Sequence, residues 1–421
     1  LYSGFSTTTA AENAFFGGNA GYYTTTGSRN AFIGTYAGQN STTAVDNVYV
    51  GYYSGFGLTV GNYNVALGSY ALDADTKGNK TVAIGYAALS SQNFTSATDT
   101  YNVAIGHGAG STISTGVQNV IIGGNAGDAL TTGSNNVAVG TFALTSDDLG
   151  SFNTAVGYNT LASMNFASGT NSYNTAVGAR AGQNISTGVG NTAVGALAGD
   201  AITTASNLTA LGYGALSSNT IGAENVAIGY HALVLNVASN RNVAVGHSAL
   251  YNQTHASGQN AHNTAVGYGA GYSITSAVYN TIVGGNSGDS LTTGTRNSSL
   301  GYSALGSATT AQYNTAMGAY ALNVSTTSDH NTAIGYNAGG SITTGAQNTI
   351  VGSLAGDAIT TGDYNVFMGV NAGSYTQSGS RNVGIGMQAY YGVGTGNRNV
   401  VIGDEAGRSM TSATQNTVVG A

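Results

Sequence analysis

The chain has 421 residues, a length that would suit two or three globular domains of ordinary size. Its composition does not suit an ordinary enzyme, because it has 66 Gly, no Pro, no Trp and only 6% charged residues, whereas a typical soluble domain has about 25%. The net charge of -7 comes from 16 acidic and 9 basic residues, too few cations for nucleic-acid binding. The absence of Cys excludes disulfides and thiolate metal sites.

The chain contains no run of 18 apolar residues, and it does not open with a charged segment followed by an apolar one. A membrane-spanning helix and a secretory signal each need one of these features. The sequence therefore predicts no membrane insertion.

A five-residue motif, Asn-[Val/Thr/Ala]-Ala-[Val/Ile]-Gly, recurs along the whole chain. Its 24 copies start at residues 13 to 416 and follow each other at 17-residue intervals, except for three longer coils of 21 residues at 81–101, 153–173 and 242–262. A fixed period of this kind is typical of a solenoid. Residues 1–421 are therefore predicted to be one continuous repeat array without a linker.

We number the positions of each copy as slots 1 to 17, starting from the Asn. Slots 2 to 4 predict a short strand, because slots 2 and 4 are rich in β-branched residues. The invariant Gly of slot 5 predicts positive φ or close backbone approach. Slot 8, which is usually Ala, is predicted to lie on a second extended piece. Segments such as Thr131-Thr132-Gly133 are predicted to form the return turn. The predicted fold class is all-β, a parallel β-solenoid (β-roll) of 17-residue coils.

Slot 1 is Asn in 22 of the 24 copies, with Thr81 and Leu208 as the exceptions. Stacked Asn side chains can hydrogen-bond along a ladder, and this is favoured over ligand binding because a site rarely needs 22 copies. The predicted structural ladder of Asn and slot-5 Gly includes Asn13, Asn30, Asn47, Asn102, Asn263, Asn331, Gly17, Gly34, Gly106, Gly267 and Gly335.

Slot 3 is mostly Ala, a small apolar residue on the strand face opposite slots 2 and 4. If slots 2 and 4 line the interior, slot 3 projects outward and needs a cover, which identical chains around a common axis would supply. This argument predicts a homotrimer. The alternative is a single-chain solenoid whose slot-3 face tolerates Ala.

The phrase Asn-Thr-Ala-Val-Gly-Tyr-Xaa-Ala-Gly/Leu occurs at residues 153–161, 263–271 and 331–339. It resembles the Ser-Val-Ala-Ile-Gly repeats of the YadA-like heads of trimeric autotransporter adhesins. It is still more similar to the Asn-Thr-Ala-Ile-Gly-Tyr-Xaa-Ala-Leu arrays of phage tail-fibre proteins and related bacterial surface proteins. The resemblance covers the whole chain and implies a trimeric left-handed β-roll, although the 17-residue period is longer than the coil of the adhesin heads.

The resemblance makes the shaft of a phage tail fibre, projecting a host-binding tip, the first expectation for function. A bacterial adhesin or extracellular filament is the alternative, and a Thr-rich ice-binding solenoid is a remote one. Both ends of the chain fall in slot 6, so we expect it to be a fragment of a longer extracellular fibre. The expected partners are two further copies of the chain and a host surface glycan or protein.

Binding residues are hardest to place. The three longer coils predict protruding loops in which Phe94, Phe166 and His255 occupy corresponding places and could contact a surface, although folding back over the adjacent Leu is the favoured interpretation. A file of slot-6 Tyr residues could bind glycans, but packing is the favoured interpretation.

Four acids recur at one slot, namely Asp128, Asp200, Asp289 and Asp357, and they favour Asx-type turns over a cation site. With six scattered His residues and no paired acids, we expect no catalytic residue, cofactor or metal.

Overall fold

The computed structural model describes residues 2–254, 258–392 and 394–420. These residues form strands, turns and bends without any helix, and they divide into two compact units, Leu1–Leu208 and Thr209–Ala421. Each unit is a parallel β-solenoid with one three-residue strand in every coil. The predicted all-β solenoid class is therefore confirmed.

The strands of the first unit are β1 (Ala14–Phe16), β2 (Ala31–Ile33), β3 (Val48–Val50), β4 (Val65–Leu67), β5 (Gly78–Asn79), β6 (Val82–Ile84), β7 (Thr98–Asp99), β8 (Val103–Ile105), β9 (Val120–Ile122), β10 (Val137–Val139), β11 (Gly150–Ser151), β12 (Thr154–Val156), β13 (Thr170–Asn171), β14 (Thr175–Val177) and β15 (Thr192–Val194). Those of the second unit are β16 (Thr209–Leu211), β17 (Val226–Ile228), β18 (Val243–Val245), β19 (Thr264–Val266), β20 (Thr281–Val283), β21 (Ser298–Leu300), β22 (Thr315–Met317), β23 (Thr332–Ile334), β24 (Thr349–Val351), β25 (Val366–Met368), β26 (Val383–Ile385), β27 (Val400–Ile402) and β28 (Thr417–Val419).

Every main strand pairs in parallel with the same slots of the neighbouring coil. In the first unit, for example, Val103 lies opposite Val120 and Ile105 opposite Ile122. The longer coils keep this register, because Val82 lies opposite Val103 across 21 residues. Two extra strand pairs, β5 with β7 and β11 with β13, absorb the added residues of the first two longer coils.

The Asn side chains of slot 1 form a buried hydrogen-bond ladder. Asn13 Oδ1 accepts hydrogen bonds from the backbone N–H (2.9 Å) and the side-chain amide (3.2 Å) of Asn30. Asn30 Nδ2 in turn donates to the carbonyl of Ala44 at the end of its own coil, at 2.8 Å. Each Asn thus closes one coil and joins it to the next, as at Asn47, Asn102, Asn263 and Asn331, and the predicted ladder is confirmed.

The glycines of slot 5 occupy a backbone region that side chains disfavour. Gly17, Gly34, Gly106, Gly267 and Gly335 have φ between 135° and 141°. A Cβ at Gly17 would also lie 2.5 Å from the carbonyl oxygen of Gly34 in the next coil. Both predicted reasons for this Gly, positive φ and close backbone approach, therefore apply.

The predicted inside and outside of the strand are reversed. Slot 3 points into the solenoid, where Ala104 is fully buried together with Ala109 of slot 8 and Ile113 of slot 12, while Val103 and Ile105 of slots 2 and 4 point outward. Ala predominates at slot 3 because the interior of a coil is narrow, and not because a partner chain covers it. The premise from which the sequence argument derived a trimer is thus wrong.

The turn region also differs from the expectation. Slots 6 to 11 form turns, and slot 8 does not lie on a second extended piece. The reason is that slots 7, 9 and 17 adopt the left-handed conformation, as in Tyr36 (φ 63°), Leu72 (φ 52°) and Arg29 (φ 58°). Such residues reverse the chain within a few positions.

The Thr-rich return segment forms its own ladder along the coils. Thr275 Oγ1 donates to the carbonyl of Thr292 at 3.2 Å, and Thr292 Oγ1 donates to the carbonyl of Thr309 at 3.0 Å. The same contact joins Thr25 to Thr42 in the first unit. These hydroxyl groups therefore satisfy carbonyls at the turn where the chain returns.

Candidate functional site

In the first two longer coils, the loop aromatic residues are buried and do not form exposed contacts. Phe94 and Phe166 are only 6% and 5% exposed, so both rings fold inward and the exposed-contact hypothesis is wrong for them. A buried aromatic ring has its large apolar surface removed from water, whereas the same ring at an exposed loop tip would remain solvated. His255 lies outside the described residues.

An Asp or Asn of slot 12, in the coil before each longer coil, accepts a hydrogen bond from a backbone amide three residues further along its own coil. Asp75 accepts hydrogen bonds from the amide of Gly78 (3.0 Å) and from Gln92 Nε2 (2.7 Å). Asp147 accepts from the amide of Gly150 (2.9 Å), and Asn236 from that of Ser239 (2.9 Å). Our sequence reasoning missed this role, although an Asx residue at slot 12 before every longer coil was a readable signal.

Burial governs the acid–base behaviour of these carboxyl groups. Burial raises the pKa of Asp147 to about 6, and the adjacent Asp148 carboxylate adds to the increase, against the lowering effect of the Gly150 amide. Burial also raises the pKa of Asp75, while its hydrogen bond from Gln92 opposes the change. Asp147 Oδ2 has no hydrogen-bond partner.

The acids of slot 10 are half-buried at the turns. Burial raises the pKa of Asp200, Asp289 and Asp357, whereas the backbone amide of each residue lowers the pKa of its own carboxyl. Asp128 accepts a hydrogen bond from Thr145 Oγ1 of the next coil. Among the described residues, no group of three or more His, Asp or Glu side chains could hold a metal ion. These contacts support the turn interpretation.

The slot-6 aromatic residues of the second unit stack on one another. Ring centroids lie 5.6 Å apart for Tyr213 and Tyr230, 4.9 Å for Tyr230 and His247, and 5.1 Å for His247 and Tyr268, with nearly parallel planes. At slot 10, Tyr251 and Tyr272 stack in the same way at 5.2 Å. The rings of each file therefore pack against each other, as the favoured interpretation predicts.

Both aromatic files reach the coil 280–296, where slot 6 is Gly285 and slot 10 is Asp289. A surface pocket of about 430 Å³ opens there. Its lining includes Tyr268, Tyr272 and Asp289, and its other members are His247, Ser248, Gly269, Ser273, Asn286 and Ser290.

A third file, made of aromatic rings and a cation, occupies slot 17. His262 stacks on Tyr279 at 5.5 Å, and Tyr313 stacks on His330 at 4.7 Å. Between the two pairs, the guanidinium of Arg296 lies 5.5 Å from the ring of Tyr279 and 5.4 Å from that of Tyr313. Our sequence reasoning missed this file, because its members share only the position before the Asn.

The outward strand face is uncharged in every coil, with an apolar residue at slot 4 and Val, Ala, Thr or Ser at slot 2. Leu300 and Met317 are 46% and 40% exposed on this face, and they help to line a groove of about 210 Å³ with Thr281, Val283, Ser298 and Ser299. We call the side chains of slots 2 and 4 the outer strand face.

Within residues 2–254, 258–392 and 394–420, no helix has the length and apolar character needed to cross a bilayer. No protein-family model matches this chain, no curated protein matches it, and no solved structure matches it. Functional inference therefore depends on the residues themselves.

Proposed function

We propose that the chain is the shaft of a homotrimeric extracellular attachment fibre, in a phage tail fibre whose host-binding tip it projects. The observation that carries this proposal is the continuity of the Asn ladder, which joins successive coils through buried side chains in each unit. Such ladders suit a stiff spacer, because every coil is fixed to its neighbours. The proposed role is mechanical and includes no catalytic step.

The outer strand face is the surface that we propose joins the copies. It is uncharged and half-exposed, and its slot-4 residues are apolar in every coil, whereas an exposed sheet face of a monomer normally carries polar residues. A second copy of the chain repeats the same 17-residue spacing, so its side chains can meet this face coil after coil. Three copies is the number that the resemblance to trimeric β-rolls implies.

Native mass spectrometry at micromolar concentration tests the assembly. We expect three times the chain mass of 41.8 kDa. The double variant Ile228→Glu with Val245→Glu, which places charges on the outer strand face, should give the single-chain mass. The matched control Thr344→Glu with Thr361→Glu, at exposed slot-14 positions outside this face, should stay trimeric. A wild-type monomer would contradict the proposal.

Ice binding is a second candidate, because slot-2 Thr residues line the outer strand face in successive coils. Thr315, Thr332 and Thr349 are neighbours in adjacent strands, and all three side chains point outward. Measurement of thermal hysteresis separates this function from a fibre shaft, for which we expect no freezing-point gap.

A further inference from the structure

The pocket beside Tyr268 lies where two aromatic files meet a coil without rings. Gly285 follows Tyr268 at slot 6, and Asp289 follows Tyr272 at slot 10, so neither ring has an aromatic successor at its own slot. The Tyr268 and Tyr272 side chains are 64% and 39% exposed. An aromatic surface is therefore open to solvent on one side of the pocket.

The other side of the pocket is polar and fixed. The carboxyl of Asp289 interacts with its own amide and that of Ser290, and the Asp289 carbonyl accepts a hydrogen bond from the amide of Ser273 at 2.9 Å. Gly269 leaves room for the amide of Asn286, because a Cβ at 269 would lie 2.9 Å from Asn286 Oδ1. The polar groups thus have defined positions next to the rings.

We propose that this pocket binds a neutral hexopyranosyl residue, with one C–H face of the sugar on Tyr268 or Tyr272 and its hydroxyls on Asp289, Asn286 and Ser290. The negative face of an aromatic ring attracts polarised C–H groups. A carboxylate, an amide and a hydroxyl supply both acceptors and donors for sugar hydroxyls. The volume of about 430 Å³ is in the range of small-ligand sites.

The charge of the lining selects a neutral sugar over an acidic one. Asp289 is the acid of the pocket, and no Lys or Arg lines it. A sugar carboxylate would therefore face a like charge.

Two of the other slot-10 acids, Asp128 and Asp357, provide matched controls. One coil before Asp128 slot 10 is Ser111, and one coil before Asp357 it is Gly340, so these acids lack the neighbouring ring that Asp289 has in Tyr272. The repeat also shows that Ser is accepted at slot 10, which makes Tyr272→Ser a conservative change for the fold.

Saturation-transfer NMR on the full chain tests the site with methyl β-D-glucopyranoside, methyl β-D-galactopyranoside and methyl α-D-mannopyranoside. At least one should show saturation transfer on the protons of one ring face. Tyr272→Ser and Asp289→Asn should each weaken binding about tenfold, whereas Asp357→Asn should leave it unchanged. Absence of transfer from the wild-type chain to all three sugars, or equal binding by Tyr272→Ser, would overturn the proposal.

N-acetylneuraminic acid serves as the acidic probe, and tighter binding of this sugar than of the three neutral ones would overturn the assignment of a neutral ligand. The inference deepens the proposed attachment function, but its test does not depend on oligomeric state. Sugar binding by a monomeric chain would refute the fibre and keep the site. A trimer that binds none of the sugars would keep the fibre and refute the site.

Discussion

At the scale of single residues, the slot-1 Asn closes each coil and joins it to the next, because one side chain supplies both an acceptor and a donor. Asn136 Oδ1 accepts from the backbone N–H of Asn153 at 2.9 Å, and its Nδ2 donates to the carbonyl of Gly150 at 2.9 Å. An acceptor and a donor on one short side chain are what Asn offers. Where Thr81 replaces Asn, Gln92 takes over part of the role by accepting from Asn102 Nδ2.

Replacement of Asn136 by Ala should lower the free energy of unfolding by about 2 to 4 kcal/mol, because a buried N–H and a buried carbonyl lose their partners. Urea unfolding followed by circular dichroism measures the change. The exposed Asn165 is the control, and Asn165→Ala should cost less than about 0.5 kcal/mol. Equal costs for the two variants would contradict a structural role of the ladder.

The buried carboxyl of Asp147 makes stability depend on pH. Its pKa in the folded chain, about 6, exceeds the ordinary value of 3.8. The folded state therefore favours the protonated form, so this residue's contribution to stability is greatest below about pH 4 and is lost as the pH rises to about 6. The loss amounts to about 3 kcal/mol for a shift of roughly two pKa units.

Asp147→Asn should remove this loss and raise the urea midpoint at pH 7, with little change at pH 3.5. Asn fits because Asn236, at the same slot of another coil, both accepts from the Ser239 amide and donates to the Ser239 carbonyl. The exposed change Asp404→Asn serves as the control. A midpoint at pH 7 that does not rise in Asp147→Asn would refute the destabilising burial.

At the scale of the coil, slots 9 and 12 share one interior space. A Cβ at Gly182 would lie 2.9 Å from Ile185 Cδ1, and one at Gly199 would overlap Ile202 in the same way. Eight of the nine coils with Leu at slot 9 instead have a polar or small residue at slot 12, as in the pair Leu322 and Ser325, and the longer coil with Leu161 and Met164 is the exception. A larger side chain at slot 9 is thus accompanied by a smaller or polar one at slot 12, which keeps the filled volume of the interior similar. We call this the slot 9–slot 12 rule.

This rule predicts a rescue. Gly182→Leu should destabilise the chain by overpacking, by about 1 to 3 kcal/mol, and Ile185→Ser should destabilise it by leaving a cavity. The double variant should cost less than the sum of the two, since it recreates the pairing of Leu322 with Ser325. A double-mutant cycle in urea measures the coupling, and strictly additive costs would show that the two slots do not share a space.

The sequence predicted the period, the strand, the Asn ladder and the slot-5 Gly, because each recurs in 22 or more copies. It did not predict which strand face is inside. A three-residue strand with apolar residues on both faces has no polar side to mark the exterior, and small Ala104 is as suited to a narrow core as to a crowded interface. The joint variation of slots 9 and 12 was the missing signal.

The candidate site was less accessible to sequence reasoning. The Tyr file and Asp289 were recognised separately, but their proximity depends on Tyr272 and Asp289 falling at the same slot of adjacent coils. For Phe94 and Phe166 the sequence favoured folding back over an exposed contact, and both side chains are buried, but it did not indicate the contacts involved. The amide of Phe94 donates to Asp75 of the preceding coil at 3.4 Å, a contact between coils that the order of residues along the chain does not show.

At the scale of the molecule, the solenoid fold and the proposed fibre both depend on each 17-residue copy pairing in parallel register with the next. The backbone of slot 14 shows this at the surface, where the Thr115 N–H donates to the carbonyl of Thr131 at 3.3 Å. Equivalent residues of adjacent coils are therefore separated by about 4.8 Å, and those two coils apart by roughly 9 to 10 Å. Only the first spacing allows a disulfide.

Because the chain has no Cys, a pair of introduced cysteines measures this register directly. Thr115→Cys with Thr132→Cys, at slot 14 of adjacent coils, should form an intramolecular disulfide on mild oxidation, as shown by mass spectrometry of the digested chain. Thr115→Cys with Leu149→Cys, two coils apart, should remain reduced. Disulfide formation in the second pair but not in the first would contradict the parallel 17-residue solenoid.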